Sequence, residues 1–340
     1  MLLHAEGFEV NRHATWLARD YDPSSSFSGL SFQVGRIHGF SCSPSNNGYL
    51  RVRAIAAQNE TVLGFGLRSA PVGGTITIAR FFRNTVTQCQ LRIRPTSGST
   101  YVIDLVNGGG VTLATTATLA INAWYYIEVK INFHASTGSC QFRIDTVNDA
   151  SASNVNTTGT GGVTGTDQME MTGSSGQDLD DWYWLSTTGG TLTDFLGDRT
   201  LEGIYPDSDG AVLDFTPSSG TTHWNLLLDA PGYVLAHDSS YVSSNTSGHR
   251  DLVGMTNLSV LQSTIDALIT CTTVRLDVLG SRTLRGLVRS GGTIYNGPNR
   301  TINTVTFESF YTIWEQDPDV ADAWTIASIN NVQTGFELVS

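Results

Sequence analysis

Strict alternation of apolar and polar residues over residues 123–133 constrains the fold more than any other feature of this sequence. The segment AWYYIEVKINF divides into the set Tyr125, Ile127, Val129, Ile131 and Phe133 and the set Trp124, Tyr126, Glu128, Lys130 and Asn132. Because successive side chains of a β-strand point to opposite faces, the first set is predicted to pack in a core. After a turn at Gly138, CQFRID (140–145) repeats the pattern, so the two segments are predicted to form a hairpin.

Period-two patterns and turn signals continue through the rest of the chain. The clearest further strand candidates are QCQLRIRP (88–95), TVRLDVLG (273–280), RTLRGLVRSGG (282–292) and TVTFESFYTIW (304–314). Two short segments, residues 258–270 and 327–334, have the spacing of amphipathic helices. Helices do not alternate with strands as in a parallel α/β fold, so the sequence predicts an all-β, antiparallel sandwich.

Composition excludes several classes of partner. The formal net charge is −12, whereas a nucleic-acid binder needs clustered lysine and arginine to neutralise phosphates. The sequence has no apolar run long enough to cross a bilayer, and its N-terminal stretch does not have the pattern of a secretory signal peptide. We therefore expect no nucleic-acid partner and no membrane insertion. The four cysteines are far apart and form no C-x-x-C pair, so we expect free thiols and folding in a reducing cytoplasm.

The stretch DLDDWYWL, residues 178–185, is the best candidate for a ligand site. On a regular strand Trp182 and Trp184 share one face, where they would stack against a sugar ring or a partner's apolar group. Trp124 is a further candidate for stacking against a sugar. The alternative is that the rings are core residues, which is the commoner fate of tryptophan.

Three aspartates accompany this tryptophan pair. Asp178, Asp180 and Asp181 offer the hard oxygen ligands that calcium prefers, and calcium is the one cofactor that the sequence suggests. The alternative is that they bond to nearby backbone at a strand entry, as aspartate often does.

Catalysis is not expected. The acidic cluster Glu315, Asp317 and Asp319 is interrupted by Pro318, which favours a loop, whereas retaining glycoside hydrolysis needs two carboxyl groups about 5 to 5.5 Å apart. The sequence has no nucleophile-elbow motif and no zinc-protease motif.

Several motifs resemble known families. Phe8-Glu9, the strand that opens on Trp124, the Gly138 turn and the segment 180–185 resemble a concanavalin A-like or laminin G-like jelly roll. DFLGDR (194–199), YPDSDG (205–210) and the closing segment 317–325 are similar to a group of tailed-bacteriophage virion proteins, and this likeness covers most of the chain.

The resemblance implies a jelly-roll domain over residues 1–205. The turn cluster Pro206 to Gly210 marks its boundary, and residues 206–340 are expected to hold an arm (216–248) and a second, smaller β-sandwich that contacts other virion subunits. The alternative is that the whole chain forms a single elaborated sandwich.

The resemblance further implies a non-enzymatic structural protein of the phage particle, assembled in the bacterial cytoplasm. Its expected location is the tail, in a fibre or baseplate, with other virion proteins and copies of itself as partners and host-surface glycans as a further contact. A capsid decoration protein on the phage head and a jelly-roll polysaccharide hydrolase are the alternatives.

Overall fold

The computed structural model describes residues 1–6, 30–34, 36, 40–44, 49–159, 161–173, 176–227, 240–259 and 264–340. The chain forms two compact units, Met1–Leu201 and Glu202–Ser340. The boundary at 205/206 and the virion-contact role of the second part stay predictions. Phe8 and Glu9, and the part of the expected arm at residues 228–239, lie outside the described residues.

Antiparallel strands build the first unit. They are β1 (Leu2–Glu6), β2 (Leu30–Val34), β3 (Phe40–Pro44), β4 (Tyr49–Gln58), β5 (Glu60–Ser69), β6 (Ile76–Arg83), β7 (Val86–Pro95), β8 (Thr100–Asn107), β9 (Thr112–Thr115), β10 (Leu119–Ala120), β11 (Trp124–Asn132), β12 (Gly138–Ile144), β13 (Val147–Val155), β14 (Thr166–Thr172) and β15 (Gln177–Ser186).

Within the described ranges these strands form two sheets. The eight-stranded sheet has the order β13-β12-β11-β5-β15-β3-β2, with β1 also on β15. The seven-stranded sheet has the order β10-β8-β7-β6-β14-β4, with β9 on β8. Strands from both sheets contribute to one buried apolar core, in which Phe65 and Ile127 of the first sheet join Phe81 and Leu91 of the second. The expected antiparallel jelly-roll sandwich is confirmed.

The hairpin predicted from sequence is β11 with β12. Val129 lies opposite Phe142 and Ile131 opposite Cys140, and all four side chains are buried in the core. Alternation alone therefore set both the strands and their register, because a slip by one residue would bring polar side chains into the core.

The second unit is a smaller β-sandwich, as predicted. Its elements are β16 (Pro206–Leu213), β17 (Thr216–Pro217), a 3-10 turn (Trp224–Leu226), β18 (Val242–Ser243), β19 (Arg250–Met255), β20 (Leu268–Val274), β21 (Arg282–Ser290), β22 (Thr293–Ile302), β23 (Glu308–Trp314), α1 (Ile326–Asn330) and β24 (Gln333–Leu338). A five-stranded sheet has the order β16-β19-β24-β21-β22, and β20 pairs with β23. Leu268 of β20 packs with Val288 of β21 in a shared apolar cluster.

Three local expectations for this unit are wrong. The supposed turn at Pro206–Gly210 is the start of β16, whose register on β19 is interrupted by irregularities. The helix expected over 258–270 is contradicted at its C-terminal end, because residues from Leu268 onward form β20. Residues 260–263 are not among the described residues. The strand expected over 273–280 ends at Val274.

The other expected helix, over residues 327–334, is found in part: α1 covers Ile326–Asn330, whereas Gln333 and Thr334 already belong to β24. Thr325 caps it, since its hydroxyl accepts the backbone N–H of Ser328 while the Ser328 hydroxyl accepts that of Thr325. No helix in the described part of the chain has the length and apolar character needed to cross a bilayer.

Candidate functional site

The structure places Trp182 and Trp184 in the core. Both rings are fully buried, and the Trp182 ring packs against the imidazole of His4 with 4.7 Å between ring centroids. A ring without exposed surface has no face to offer a sugar. The prediction that this pair forms a stacking platform is therefore wrong, and the core alternative holds for both residues.

A β-bulge explains where these rings point. Asp180 pairs with Gly66 and Tyr183 with Gly64, so β15 carries one more residue than β5 over this stretch. Asp181 takes up the extra residue with a φ of 47°, in the left-handed region. The bulge reverses the alternation, so that the tryptophans face the core while Tyr183 shares the outward face with Asp180.

Trp124 lies at the start of β11 and is half-buried. The guanidinium carbon of Arg68 sits 5.2 Å from its ring centroid, within the range of a cation–π contact. The same guanidinium bonds to Asp178 at 2.7 Å. One face of this ring is thus covered by an arginine of the chain itself, and its role in ligand binding stays a prediction.

The three aspartates do not form a calcium cage. Asp178 is bound by Arg68, while Asp180 accepts the backbone N–H groups of Arg36 and Asp181 at 2.7 and 2.9 Å. The described residues include no group of three or more His, Cys, Asp or Glu side chains placed to hold a metal ion. The predicted metal role of Asp178, Asp180 and Asp181 is corrected to one of structural anchoring.

Asp181 anchors the end of the first unit. Its carboxylate accepts the backbone N–H of Leu201 at 2.9 Å and Nη2 of Arg36 at 3.1 Å, and its carbonyl accepts the Tyr126 hydroxyl at 3.1 Å. Burial raises the pKa of this carboxyl above its ordinary value, against the opposing effect of the Leu201 and Arg36 contacts.

Glu128 lies beside this anchor and is fully buried on the outward face of β11. Its Oε1 accepts the Tyr183 hydroxyl at 2.5 Å and the backbone N–H of Gly197 at 2.8 Å. The Tyr183 oxygen in turn accepts the N–H of Leu196 at 3.1 Å. Residues 194–201 therefore cover this side of the sheet, which makes its polar residues a structural network and not an open site.

The outward face of the seven-stranded sheet is the better candidate. We call it the arginine face, defined by the side chains Arg51, Arg80, Gln90, Arg92, Arg94, Asp104 and Glu170. The strand registers bring Glu170 opposite Arg51 on one neighbouring strand and Arg80 on the other, while Arg92 lies opposite both Thr77 and Asp104. The core side of the same strands carries Leu91, Ile93 and Met169.

Ion pairs fix the two carboxylates of the arginine face. Glu170 receives Nη2 of Arg51 and Nη1 of Arg80, each at 2.6 Å, although its side chain is only 2% exposed. Asp104 receives Nε and Nη2 of Arg94 at 2.6 and 3.0 Å and the Thr115 hydroxyl at 2.7 Å. Burial acts to raise the pKa of Asp104, but the bonds from Arg94 and Thr115 outweigh it and lower that pKa.

A pocket of about 510 Å³ opens at one end of the arginine face. Thr77 and Arg80 of β6 and Thr172 of β14 line it, together with Gly73 and Gly74 of the preceding loop. A side chain at either glycine would meet open space. The pocket is a shallow depression that is largely open to solvent, and its hydroxyl and guanidinium groups provide hydrogen-bond donors.

This arrangement does not resemble the carboxylate pair of a glycosidase. Glu170 is on β14 and Asp104 on β8, three strand spacings apart in the sheet order. At about 4.8 Å per spacing their backbones are separated by roughly 14 Å, beyond the ~5 to 9.5 Å between glycosidase carboxyl groups. Glu170 is also held by Arg51 and Arg80, and Asp104 by Arg94. The bonds from Arg94 lower the pKa of Asp104 and so oppose a role for it as proton donor.

Sequence reasoning missed the arginine face, although its signal is visible. In QCQLRIRP the polar set Gln90, Arg92 and Arg94 alternates with core residues. The same spacing occurs at Arg51, in LRVR, and at Glu170, in QMEM. Nothing local to these segments indicates that they are neighbours, because β6 and β14 pair across a long separation in sequence.

Comparisons with known proteins do not assign a family. No family model matches this chain. Among curated proteins, the endothelin-1 receptor of Rattus norvegicus is 28% identical over 120 residues, which are 35% of this chain and 26% of the receptor. The match therefore spans about a quarter of that protein's length, and it shows neither a shared family nor a shared activity.

Solved structures with a similar arrangement include glycan-related proteins. Cip1, a cellulose induced protein, has a TM-score of 0.37 and 14% identity over 54% of this chain and 97% of its own. Domain 4 of AbnA, a GH43 extracellular arabinanase from Geobacillus stearothermophilus in complex with arabinotriose, has a TM-score of 0.36 and 10% identity over 54% and 91%. Galectin LEC-6 of Caenorhabditis elegans has a TM-score of 0.29 and 13% identity over 47% and 98%. Likenesses at this level carry no functional argument for this chain.

Proposed function

We propose that this chain is a non-enzymatic glycan-binding protein, whose first unit holds its ligand in the pocket at the end of the arginine face. The observation that carries the proposal is the pocket itself, which is open to solvent and lined by Thr77, Arg80 and Thr172. Sugars are bound through hydroxyl groups, and these side chains supply donors and acceptors on a rigid sheet.

The setting proposed for this activity is a bacteriophage particle. The support for it is the sequence resemblance over segments 194–199, 205–210 and 317–325, and a tail fibre or baseplate component is the form that suits contact with host glycans. Copies of the chain and other virion proteins are the proposed partners. A capsid decoration protein is the alternative location, and labelling of intact particles with an antibody to this chain separates the two.

The glycan-binding proposal is tested by filling the pocket. Gly74→Trp adds a large ring to the lining of the pocket, and the new Cβ has no heavy atom within 4 Å. Gly98→Trp is the matched control, since Gly98 has the same open surroundings in the turn between β7 and β8 and does not line the pocket. Both variants are applied with the wild-type chain to an array of bacterial and plant glycans.

We expect the wild-type chain and Gly98→Trp to bind the same glycans and Gly74→Trp to lose them. Equal binding by both variants would place the ligand elsewhere, and absence of binding by the wild-type chain across the array would overturn the proposal. Release of reducing ends from a bound glycan would overturn its non-enzymatic part.

A further inference from the structure

Arg80, Arg92 and Arg94 of the arginine face have guanidinium donors without a hydrogen-bond partner among the described residues. A guanidinium carries five N–H donors. Arg80 gives Nη1 to Glu170, Arg94 gives Nε and Nη2 to Asp104, and Arg92 makes no ion pair or side-chain hydrogen bond within the described part of the chain. Arg92 is half-buried one strand away from the pocket, directly opposite Thr77.

We propose that the arginine face selects polysaccharides that carry carboxylate groups, with Arg92 as the main contact to a ligand carboxylate. This inference rests on the proposed function, and it names the ligand class for the same site. It assigns Arg80 a second role, in which the guanidinium pairs with Glu170 on one side and lines the sugar pocket on the other.

The chemistry of the face favours carboxylate. The arginines beside Arg92 already hold carboxylates of the chain itself at 2.6 Å, one of them through two nitrogens of the same guanidinium. A planar guanidinium matches a planar carboxylate with two parallel hydrogen bonds. Arg92 presents the same group on the same face and makes no side-chain hydrogen bond or close ion pair with a described residue, although its charge also attracts Asp104 on the neighbouring strand.

The layout of the face suits a polymer. Arg92 lies on β7, Arg80 on β6 and Arg51 on β4, and the sheet order from β7 to β4 runs β7-β6-β14-β4. A chain lying across the strands would meet these guanidiniums over roughly 14 Å, since neighbouring strands are about 4.8 Å apart. A polymer with one carboxylate per sugar can therefore make more than one contact.

The overall charge restricts where such a polymer can bind. The chain has a formal net charge of −12, but on this face four arginines oppose two carboxylates. An anionic polymer is repelled by an acidic surface and attracted by a local basic one, within a screening distance of about 8 Å at physiological salt. Charge therefore adds selectivity for the arginine face.

The experiment measures binding of the full chain to polygalacturonate. The matched neutral probe is the same polymer with its carboxyl groups fully methyl-esterified, and dextran sulfate is the probe for a sulfate ligand. We expect binding to polygalacturonate, much weaker binding to the two other polymers, and a loss of affinity of about tenfold or more when salt is raised from about 50 to 500 mM.

Substitutions locate the contact. Arg92→Gln removes the charge and its attraction to Asp104, but no side-chain hydrogen bond or close ion pair of the described residues. Its melting temperature should therefore stay close to that of the wild type, while its affinity for polygalacturonate falls about tenfold or more. Arg282→Gln is the control, because Arg282 is an exposed arginine of the second unit whose side chain, among the described residues, bonds to the neighbouring Ser281 carbonyl alone. We expect its affinity to be unchanged.

The outcomes separate this inference from the proposed function. One outcome is that the wild-type chain binds polygalacturonate and its methyl ester equally well and that Gly74→Trp binds neither. This outcome would overturn the carboxylate inference and leave the glycan-binding proposal in place. Preference for dextran sulfate over polygalacturonate would likewise overturn it, as would an unchanged affinity of Arg92→Gln. Binding to none of these polymers and to no glycan on the array would overturn both.

Discussion

The hydroxyl of Tyr183 donates a 2.5 Å hydrogen bond to Oε1 of Glu128, and both side chains are buried beneath residues 194–201. A buried side-chain oxygen needs hydrogen-bond donors from the chain, because burial removes its contacts with water. The pair therefore couples the sheet to the segment that covers it, through Leu196 and Gly197.

Removal of the Tyr183 hydroxyl is predicted to destabilise the first unit. In Tyr183→Phe, Glu128 loses its side-chain donor and the Leu196 N–H loses its acceptor, so the free energy of unfolding should fall by about 2 kcal/mol or more. Tyr125→Phe is the control, since its hydroxyl makes one exposed bond, to the Ala120 N–H. Denaturant titration of both variants checks the prediction, and equal losses would contradict it.

A methyl group at Gly64 is predicted to be costly. The Tyr183 ring lies on the Gly64 backbone, and an added Cβ would overlap with its ring carbons. Gly64→Ala should therefore lower stability by about 1 to 3 kcal/mol as the ring is displaced. Gly98→Ala, with open space around its Cβ, should change stability by less than about 1 kcal/mol. Calorimetry of the two variants measures the difference, and a stable Gly64→Ala would show that the ring can move aside freely.

The buried imidazole of His4 is expected to make the free energy of unfolding depend on pH. Burial lowers the pKa of this imidazole from 6.5 to about 3, so the folded chain favours the neutral ring. Between about pH 6.5 and 3 the unfolded chain binds a proton that the folded chain does not, and this contribution to stability falls by about 1.4 kcal/mol per pH unit as the pH decreases. It is fully present above pH 6.5.

The variant His4→Gln isolates this contribution from the carboxyl groups that titrate in the same range. The difference in unfolding free energy between wild type and variant should narrow steadily in denaturant titrations at pH 7, 5.5 and 4.5. A difference that stays constant over this range would mean that the folded chain accepts the proton.

The variant Glu170→Gln tests whether the Glu170 carboxylate stabilises the fold or contacts the ligand. Glu170 is clamped by Arg51 and Arg80, so loss of its charge should lower stability by about 2 kcal/mol, less than a fully buried pair because both arginines are partly exposed. Affinity for polygalacturonate should not fall, because the arginines are released.

The control for Glu170→Gln lies in the second unit, where Arg250 and Arg285 clamp Glu337 in a similar way. Glu337→Gln should cost comparable stability with no change in affinity. A loss of polygalacturonate binding in Glu170→Gln alone would assign Glu170 a direct contact to the ligand, contrary to this account.

The fold was largely predictable because its signal is local. The set Ile127, Val129 and Ile131 alternates with polar residues, and this pattern alone predicts the strand, its core face and its hairpin with β12. The arrangement of β16 was not predictable, since proline and glycine in Pro206–Gly210 are turn residues by propensity and become a strand only through pairing with β19.

The candidate site was less predictable because it depends on non-local pairing. A uniform alternation puts Trp182 and Asp180 on one face, and the bulge at Asp181 that separates them has no sequence signature beyond an aspartate tolerant of positive φ. Likewise, Glu170 and Arg80 become neighbours only when β14 pairs with β6. Residues that meet across long sequence separations leave no periodic pattern.

The position of a bound oligogalacturonate tests the central claim most directly. A crystal structure of the full chain with a short oligomer should show a ligand carboxylate within hydrogen-bond distance of the Arg92 guanidinium and a sugar ring in the pocket between Gly74 and Thr172. An oligomer bound on another surface, or one whose carboxylates point away from the arginine face, would contradict the account.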